Sequence, residues 1–338
     1  MRKEWFARIF VILLLAAAIS IPVAGWWKRS QGIVIHARMA ETGGWTPENL
    51  TVQVDQPLHL RLTSDDVTHS FAIGQSEQPP VNVIPGEMTE VTLVFDHPGK
   101  YTFYCTRWCS VNHWRMRGTI EVTGPTTATE AVKPPLYKTL GLDIDAKHNA
   151  EIIPASIPSA VRGALLQHVV PLEYQSREYY LAHTPVELWK ELRGEPALQK
   201  LSDQDLWDLV AWVWQSNTTS QELQIGKQLY AANCAACHGE QGGGNGVFTD
   251  QLTQPKSVNP TEMAADDMPA AGDMPTRPAN FTDPNTILSA SPAHLQGKLI
   301  RGGMGTSMPY WGPIFTEDQT WALIAYLWTF QFEMEKIP

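Results

Sequence analysis

Hydrophobic and polar positions along the 338-residue chain fall into three successive patterns. The first is continuous: Ile9 to Trp27 carries no charged residue, and at 1.5 Å per residue a helix of that length spans about 28 Å, close to the bilayer core. Arg2, Lys3 and Arg8 precede the run, Trp26 and Trp27 close it as interfacial aromatics do, and Lys28 and Arg29 follow. A transmembrane helix within an anchor segment 1–32 is the expectation. A cleaved signal peptide, with Val23 and Gly25 near the cut, is the alternative; the apolar run exceeds the roughly 7–15 residues of a signal core.

The second pattern alternates. Leu50, Val52 and Val54, then Leu58, Leu60 and Leu62, then Val91, Leu93 and Phe95 are separated by polar residues, with Pro85-Gly86 and Pro98-Gly99 as turns between such runs. Short alternating strands with regular turns predict an all-β sandwich or barrel over 33–123. Residues 124–135, rich in Pro, Thr and Ala, read as a linker.

From about Pro135 the period becomes helical. Leu201–Trp214 (LSDQDLWDLVAWVW) and Phe315–Trp328 (FTEDQTWALIAYLW) resemble each other 114 positions apart. Upstream, Thr184-Pro185 with Leu188, Leu192, Arg193 and Gly194 is echoed by Ser291-Pro292 with Leu295, Leu299, Arg301 and Gly302, once a single-residue gap is admitted. This reads as an internal duplication; convergence of amphipathic Trp-rich helices is the alternative. Residues 136–218 form the first helical segment and 219–338 the second. Gly239 to Pro278, rich in Gly, Pro, Asp and Met, is expected to be a long surface loop.

The net charge of −10 argues against a nucleic-acid partner, because nothing would neutralise phosphates. No residue pattern suggests a general base or nucleophile. The four cysteines form two local pairs. Cys105 and Cys109 stand in Cys-x3-Cys-x3-His-x2-Met with His113 and Met116, and His69 closes an upstream strand. Thiolate, thioether and imidazole together suit copper. A Cys2His2 zinc site or a disulfide remains open on spacing alone, but neither needs Met116. Cys234-Ala-Ala-Cys237-His238 is the attachment motif for c-type haem. A methionine sixth ligand would come from Arg301–Trp311, which offers Met304 and Met308.

The segment Tyr104–Met116, with Asp66–Phe71, resembles the CuA domain of cytochrome oxidase subunit II and of nitrous oxide reductase. That resemblance covers roughly Thr46 to Val122. It implies a cupredoxin barrel holding a dinuclear copper centre, with Cys105 and Cys109 bridging, His69 and His113 binding one copper each, Met116 a weak ligand, and the Arg107 backbone carbonyl its counterpart. From Gln224 to about Phe332 the chain resembles class I cytochromes c, whose axial methionine precedes a proline after Gly-Thr-x. That implies one covalent haem c on Cys234, Cys237, His238 and Met308.

The expected fold class is therefore a transmembrane helix, an all-β cupredoxin domain and an all-α class I cytochrome c domain, with 136–218 a degenerate, haem-less cytochrome-like module. The resemblance implies the cell membrane, a single pass, and cofactor domains on the extracytoplasmic, periplasmic side. It also implies two partners: the catalytic subunit of a haem-copper oxidase, and a soluble donor such as a cytochrome c or small copper protein. Oxidase subunits usually carry Glu or Gln where Arg107 stands. An anchored relay to nitrous oxide or nitric oxide reduction is the alternative to an oxidase subunit.

Overall fold

A computed structural model of the protein describes residues 32–76, 78–110, 112–125, 133–146, 150–252, 277–303 and 308–334, together with Trp5. The apolar run from Ile9 to Trp27 lies outside these residues. Among the described residues no helix is long and apolar enough to cross a membrane. Two compact units are distinguished: Met1–Ala72 with Pro79–Ala128, and Ile73–Gln78 with Thr129–Pro338.

The first unit is a β-sandwich. Strands β1 (Ile33–Ala37), β2 (Trp45–Thr46), β3 (Asn49–Gln53), β4 (Leu58–Ser64), β5 (His69–Ile73), β6 (Val81–Val83), β7 (Thr89–Leu93), β8 (Gly99–Tyr104) and β9 (Arg117–Thr123) form two sheets, ordered β2-β1-β4-β7 and β3-β9-β8-β5-β6. β1 runs parallel to β4 and β3 parallel to β9; the other registered pairs are antiparallel. The expected alternation has the expected cause. Leu58, Leu60 and Leu62 face inward on β4, while His59 between them is exposed. The sheets meet on aromatic rings: Trp45 of β2 lies 5.8 Å from both Phe71 of β5 and Phe103 of β8, edge-on to each. Thus β5 is buried along its whole length, so His69 at its start enters a dry interior.

The second unit is helical. Its helices are α1 (Leu136–Thr139), α2 (Ala160–Ala164), α3 (Arg177–Ala182), α4 (Pro185–Gly194), α5 (Asp203–Ser216), α6 (Ser220–Asn233), α7 (Ala235–His238), α8 (Thr249–Leu252), α9 (Pro284–Ile287), α10 (Pro292–Arg301) and α11 (Glu317–Leu327). Four begin with reciprocal capping boxes: Thr184/Glu187, Ser202/Asp205, Thr219/Glu222 and Thr316/Gln319. The 239–278 segment is not wholly irregular, since α8 lies within it.

α6 and α11 cross so closely that a Cβ on Gly226 would stand 2.0 Å from the Ala322 carbonyl oxygen and 2.7 Å from Tyr326 Cβ. Only glycine fits there. Tyr230, one turn further along α6, is buried and donates its hydroxyl to the Gly239 carbonyl at 2.7 Å. The crossing thereby fixes where the chain emerges beyond Cys234 and His238. Gly226→Val should destabilise this unit by about 1–3 kcal/mol, in the range for overpacked cores. Chemical denaturation followed by helical circular dichroism reads it; an unchanged midpoint would rule out the close crossing.

Candidate metal and haem centres

Three of the expected copper ligands come together; His113 is not part of that group. The His69, Cys105 and Cys109 ligand atoms all lie within 4.8 Å of one another. His69 Nδ1 stands 4.0 Å from Cys105 Sγ, and Cys109 Sγ stands 3.3 Å from Met116 Sδ. Neither cysteine is joined in a disulfide in this structure. His113 and Met116 are buried, and neither ring nitrogen of His113 meets a hydrogen-bond partner among the described residues. A buried imidazole left in that state suits a metal ligand, since an unpartnered buried polar group is otherwise costly. Arg107 contributes its carbonyl, which accepts from Cys109 N–H at 2.8 Å and faces Cys105 Sγ at 3.3 Å. Its side chain instead donates to Asn82 Oδ1 at 3.2 Å.

The electrostatics suit thiolate ligands. Cys105 is held far below an ordinary thiol, first by the hydrogen bond from Cys109 and then by the nearby imidazoles of His113 and His69, against the cost of burial. Cys109 is pushed up by the same contact, because two adjacent buried thiolates repel. Burial alone would lower His69, but Cys105 and Asp66 outweigh it and hold its pKa above the usual value.

Sequence reasoning quoted Asp66 but missed its role. Asp66 Oδ1 takes the hydrogen bond of His69 Nε2 at 2.7 Å, which turns Nδ1 toward the sulfurs. Asp66 Oδ2 is itself fixed by the Met39 N–H at 2.7 Å. Burial tends to raise the Asp66 carboxyl; hydrogen bonds from Met39, His69 and Val67 prevail and keep it low. The same connection between β1 and β2 grips the cysteine loop twice more. Glu41 accepts from Asn112 Nδ2 at 2.9 Å, and Trp45 Nε1 donates to the Met116 carbonyl at 3.0 Å. Thr106 N–H donates to Ser70 Oγ at 2.9 Å, joining the cysteine loop to β5. Of these, only Asp66, three positions before the histidine on one turn, left a local signal.

In the second unit, Cys234, Cys237 and His238 sit on one short turn, with Cys234 as the N-cap of α7. Both cysteines are free, and burial pushes their thiols up to about 12 and about 11. His238 Nδ1 lies 3.0 Å from the Ala279 carbonyl, and its ring stacks on Phe281 with centroids 4.6 Å apart. Burial lowers the His238 pKa, though the Ala279 carbonyl works the other way. The neutral ring, its Nδ1–H spent on Ala279, leaves Nε2 for iron. Ala279 and Phe281 had no signal in the motif, since they reach it from some 40 residues away. Met308 is half-buried and its carbonyl accepts from Gly303 N–H at 3.2 Å. At Gly302, φ is +73° and a Cβ would meet Pro309 at 2.7 Å, so the chain turns there only as glycine. Met304 lies outside the described residues.

A dry cluster of two thiols, imidazole and thioether in a β-sandwich defines a copper-type electron-transfer domain, and the second turn belongs to a c-type cytochrome. Comparison agrees on both. Residues 38–123 match the family "Cytochrome C oxidase subunit II, periplasmic domain" and residues 223–331 match "Cytochrome c". The chain thus joins a domain of the oxidase subunit II family and a cytochrome c domain in one polypeptide.

It is 34% identical to cytochrome c oxidase subunit 2 of Thermus thermophilus over 79 residues, 23% of this chain and 58% of that protein. A second Thermus thermophilus relative is covered over 46%; the chain spans about half the length of these curated relatives. Among solved structures, the periplasmic domain of cytochrome oxidase subunit II from Bradyrhizobium japonicum is 25% identical, covering 22% of this chain and 54% of that one with a TM-score of 0.21. A chain of a heme-copper terminal oxidase dimer is 22% identical, covering 36% and 99% with a TM-score of 0.23.

Asp66→Ala removes the acceptor that orients His69. Copper affinity, read by competition with a chelator, should fall about 10–100-fold, the usual range for a hydrogen-bond partner of a metal-binding histidine. An unchanged affinity would show that His69 is held by packing alone.

Proposed function

We propose that the chain is the electron-entry subunit of a terminal cytochrome c oxidase, passing electrons between a covalent haem c and a dinuclear CuA centre. The observation that carries the reading is the cluster of buried Cys105, His69 and Met116 and half-buried Cys109, with two thiols able to bridge and one thioether 3.3 Å from Cys109. Cys105, Cys109, His69, His113, Met116 and the Arg107 carbonyl would hold the copper through thiolate, imidazole, thioether and carbonyl donors. Cys234 and Cys237 would hold a haem through thioethers, and His238 and Met308 would ligate its iron. The two groups, when bound, supply one-electron couples; the protein supplies rigid ligands and excludes water.

Membrane attachment by a single N-terminal helix, with both domains on the periplasmic side, belongs to the same reading. It rests on the uncharged Ile9–Trp27 run and on the compartment in which such cofactors are fitted. The partners follow: a haem-copper catalytic subunit, and a soluble cytochrome c or small copper protein as donor. One observation favours a second reading, an anchored relay to nitrous oxide or nitric oxide reduction. The Arg107 side chain is turned to Asn82 and offers no acceptor to a second metal at a subunit border.

Purification from membranes in mild detergent separates the two. The proposal expects a haem-copper catalytic subunit to co-purify with oxygen uptake; isolation alone, with electron donation to a nitrous oxide reductase, would contradict it. Within the isolated protein, Cys105→Ser should abolish the mixed-valence dicopper EPR signal and leave the haem absorption intact. An unchanged copper spectrum would refute the ligand assignment.

A further inference from the structure

Elements of the helical unit recur in two copies, and the first copy lacks both the parts a haem needs and the 239–282 segment that carries α8. In the first copy a Cβ on Gly163 of α2 would meet the Asp208 carbonyl oxygen at 2.0 Å and Trp212 Cβ at 2.9 Å. In the second, Gly226 meets the Ala322 oxygen at 2.0 Å and Tyr326 Cβ at 2.7 Å. Asp208 and Ala322, like Trp212 and Tyr326, are 114 positions apart, the spacing of the sequence repeat. The helix crossing that defines the haem copy is therefore present in the other.

The remaining elements correspond end to end. A 3-10 turn at Leu172–Gln175, N-capped by Pro171, stands 63 positions before α7 at Ala235–His238, N-capped by Cys234. This is the offset that relates Gly163 to Gly226. α3 with its N-cap Ser176 precedes α9 with its N-cap Asp283 by 107 positions. α4 with Thr184 and α10 with Ser291 share that offset at both ends. α5 with Ser202 and α11 with Thr316 are 114 apart. Four elements with matched N-cap positions, besides the glycine crossing, exceed what convergence of Trp-rich helices would give.

Pro171, Tyr174 and Gln175 then occupy the places of Cys234, Cys237 and His238, and none carries a thiol or imidazole. The Tyr174 hydroxyl donates to Glu195, and Gln175 Nε2 donates to the Val170 carbonyl at 2.8 Å. Where the offset jumps from 63 to 107, residues 239–282 have no counterpart, so the Ala279 and Phe281 that hold His238 are missing too. Where it jumps from 107 to 114, the seven residues lost lie in the stretch that carries Met308. The pieces that serve the haem are gone, as is α8 within 239–282, while the helices paired above are kept.

The copies also pack on one another through equivalent residues. Trp214 and Trp328, 114 apart and fully buried, meet edge-to-face with centroids 5.8 Å apart. Contact of a residue with its own counterpart is the mark of a local two-fold interface. Tyr180 at 5.4 Å and Phe332 at 6.4 Å extend the cluster around Trp214.

We infer that residues 136–218 are a cytochrome c module that has lost its haem and is retained as a redox-silent packing partner of the haem-bearing copy. The full chain accordingly stores two electrons, one at iron and one shared by the copper pair; this count rests on the function proposed above.

Anaerobic reductive titration of the full chain, matured with both cofactors, tests it. Two equivalents per chain are expected, with one covalent haem by haemochrome assay. In the Cys234→Ser, Cys237→Ser double variant no covalent haem should remain. A third equivalent, or haem persisting in the double variant, would overturn the redox-silent assignment. Copper content, measured on the same sample, reports failure of the dicopper reading separately, since the haem count does not depend on it. The packing role is read in denaturant: Trp214→Ala should lower the midpoint at which haem absorption changes, and Trp214→Phe should restore most of it. A midpoint that Trp214→Ala leaves unmoved would overturn the role. If that variant does not accumulate, a Trp214→Phe midpoint equal to that of the parent supports the role, and one lowered as far as by Trp189→Ala, whose ring packs on Trp207 and not on Trp328, contradicts it.

Discussion

The first unit is organised by two sulfur atoms on one short loop, one buried and one half-buried beside an imidazole. Cys105 and Cys109 cannot both carry charge in a dry site without cations beside them, which is why one is held low and the other high in the free protein. A pair of such sulfurs is matched by metal ions and little else. The rest of the sandwich meets the demand by fixing the loop from outside: the β1–β2 connection binds Asp66 and Asn112, while Trp45 of β2 binds the Met116 carbonyl and fills the space between the sheets. Rigid ligands suit electron transfer, since geometry that does not change between oxidation states needs no reorganisation.

How much of this could be read from residues alone depended on how local each contact is. Cys105, Cys109, His113 and Met116 lie within one segment, and Cys234, Cys237 and His238 within another, so their spacing carried the chemistry. The strands of the first unit were legible because one face of each is dry, as Leu58, Leu60 and Leu62 show. The grip of Glu41, Trp45 and Met39 on the copper loop was not legible. It depends on the sheet order, which brings a connection near residue 40 beside loops near residues 66 and 112. Ala279 and Phe281 escaped for the same reason, reaching His238 only after a long excursion.

The repeat illustrates the opposite case. Identities between Leu201–Trp214 and Phe315–Trp328 suggested duplication, but the short α2 and the turn at Leu172–Gln175 left no sequence trace of their own. Backbone contact at Gly163 and matched caps identified them. Helical caps and a glycine crossing are demanded by the fold whatever it binds, whereas cysteines and a ligand loop are demanded only by haem. A copy that lost the cofactor would therefore lose the motif and keep the architecture.

The most direct measurement is the metal content of the purified first unit's site, combined with the spin distribution of its oxidised form. Two coppers per chain, with one unpaired electron coupled equally to both nuclei, is the result the account predicts. A single copper, or zinc held by Cys105, Cys109 and the two histidines, would contradict it.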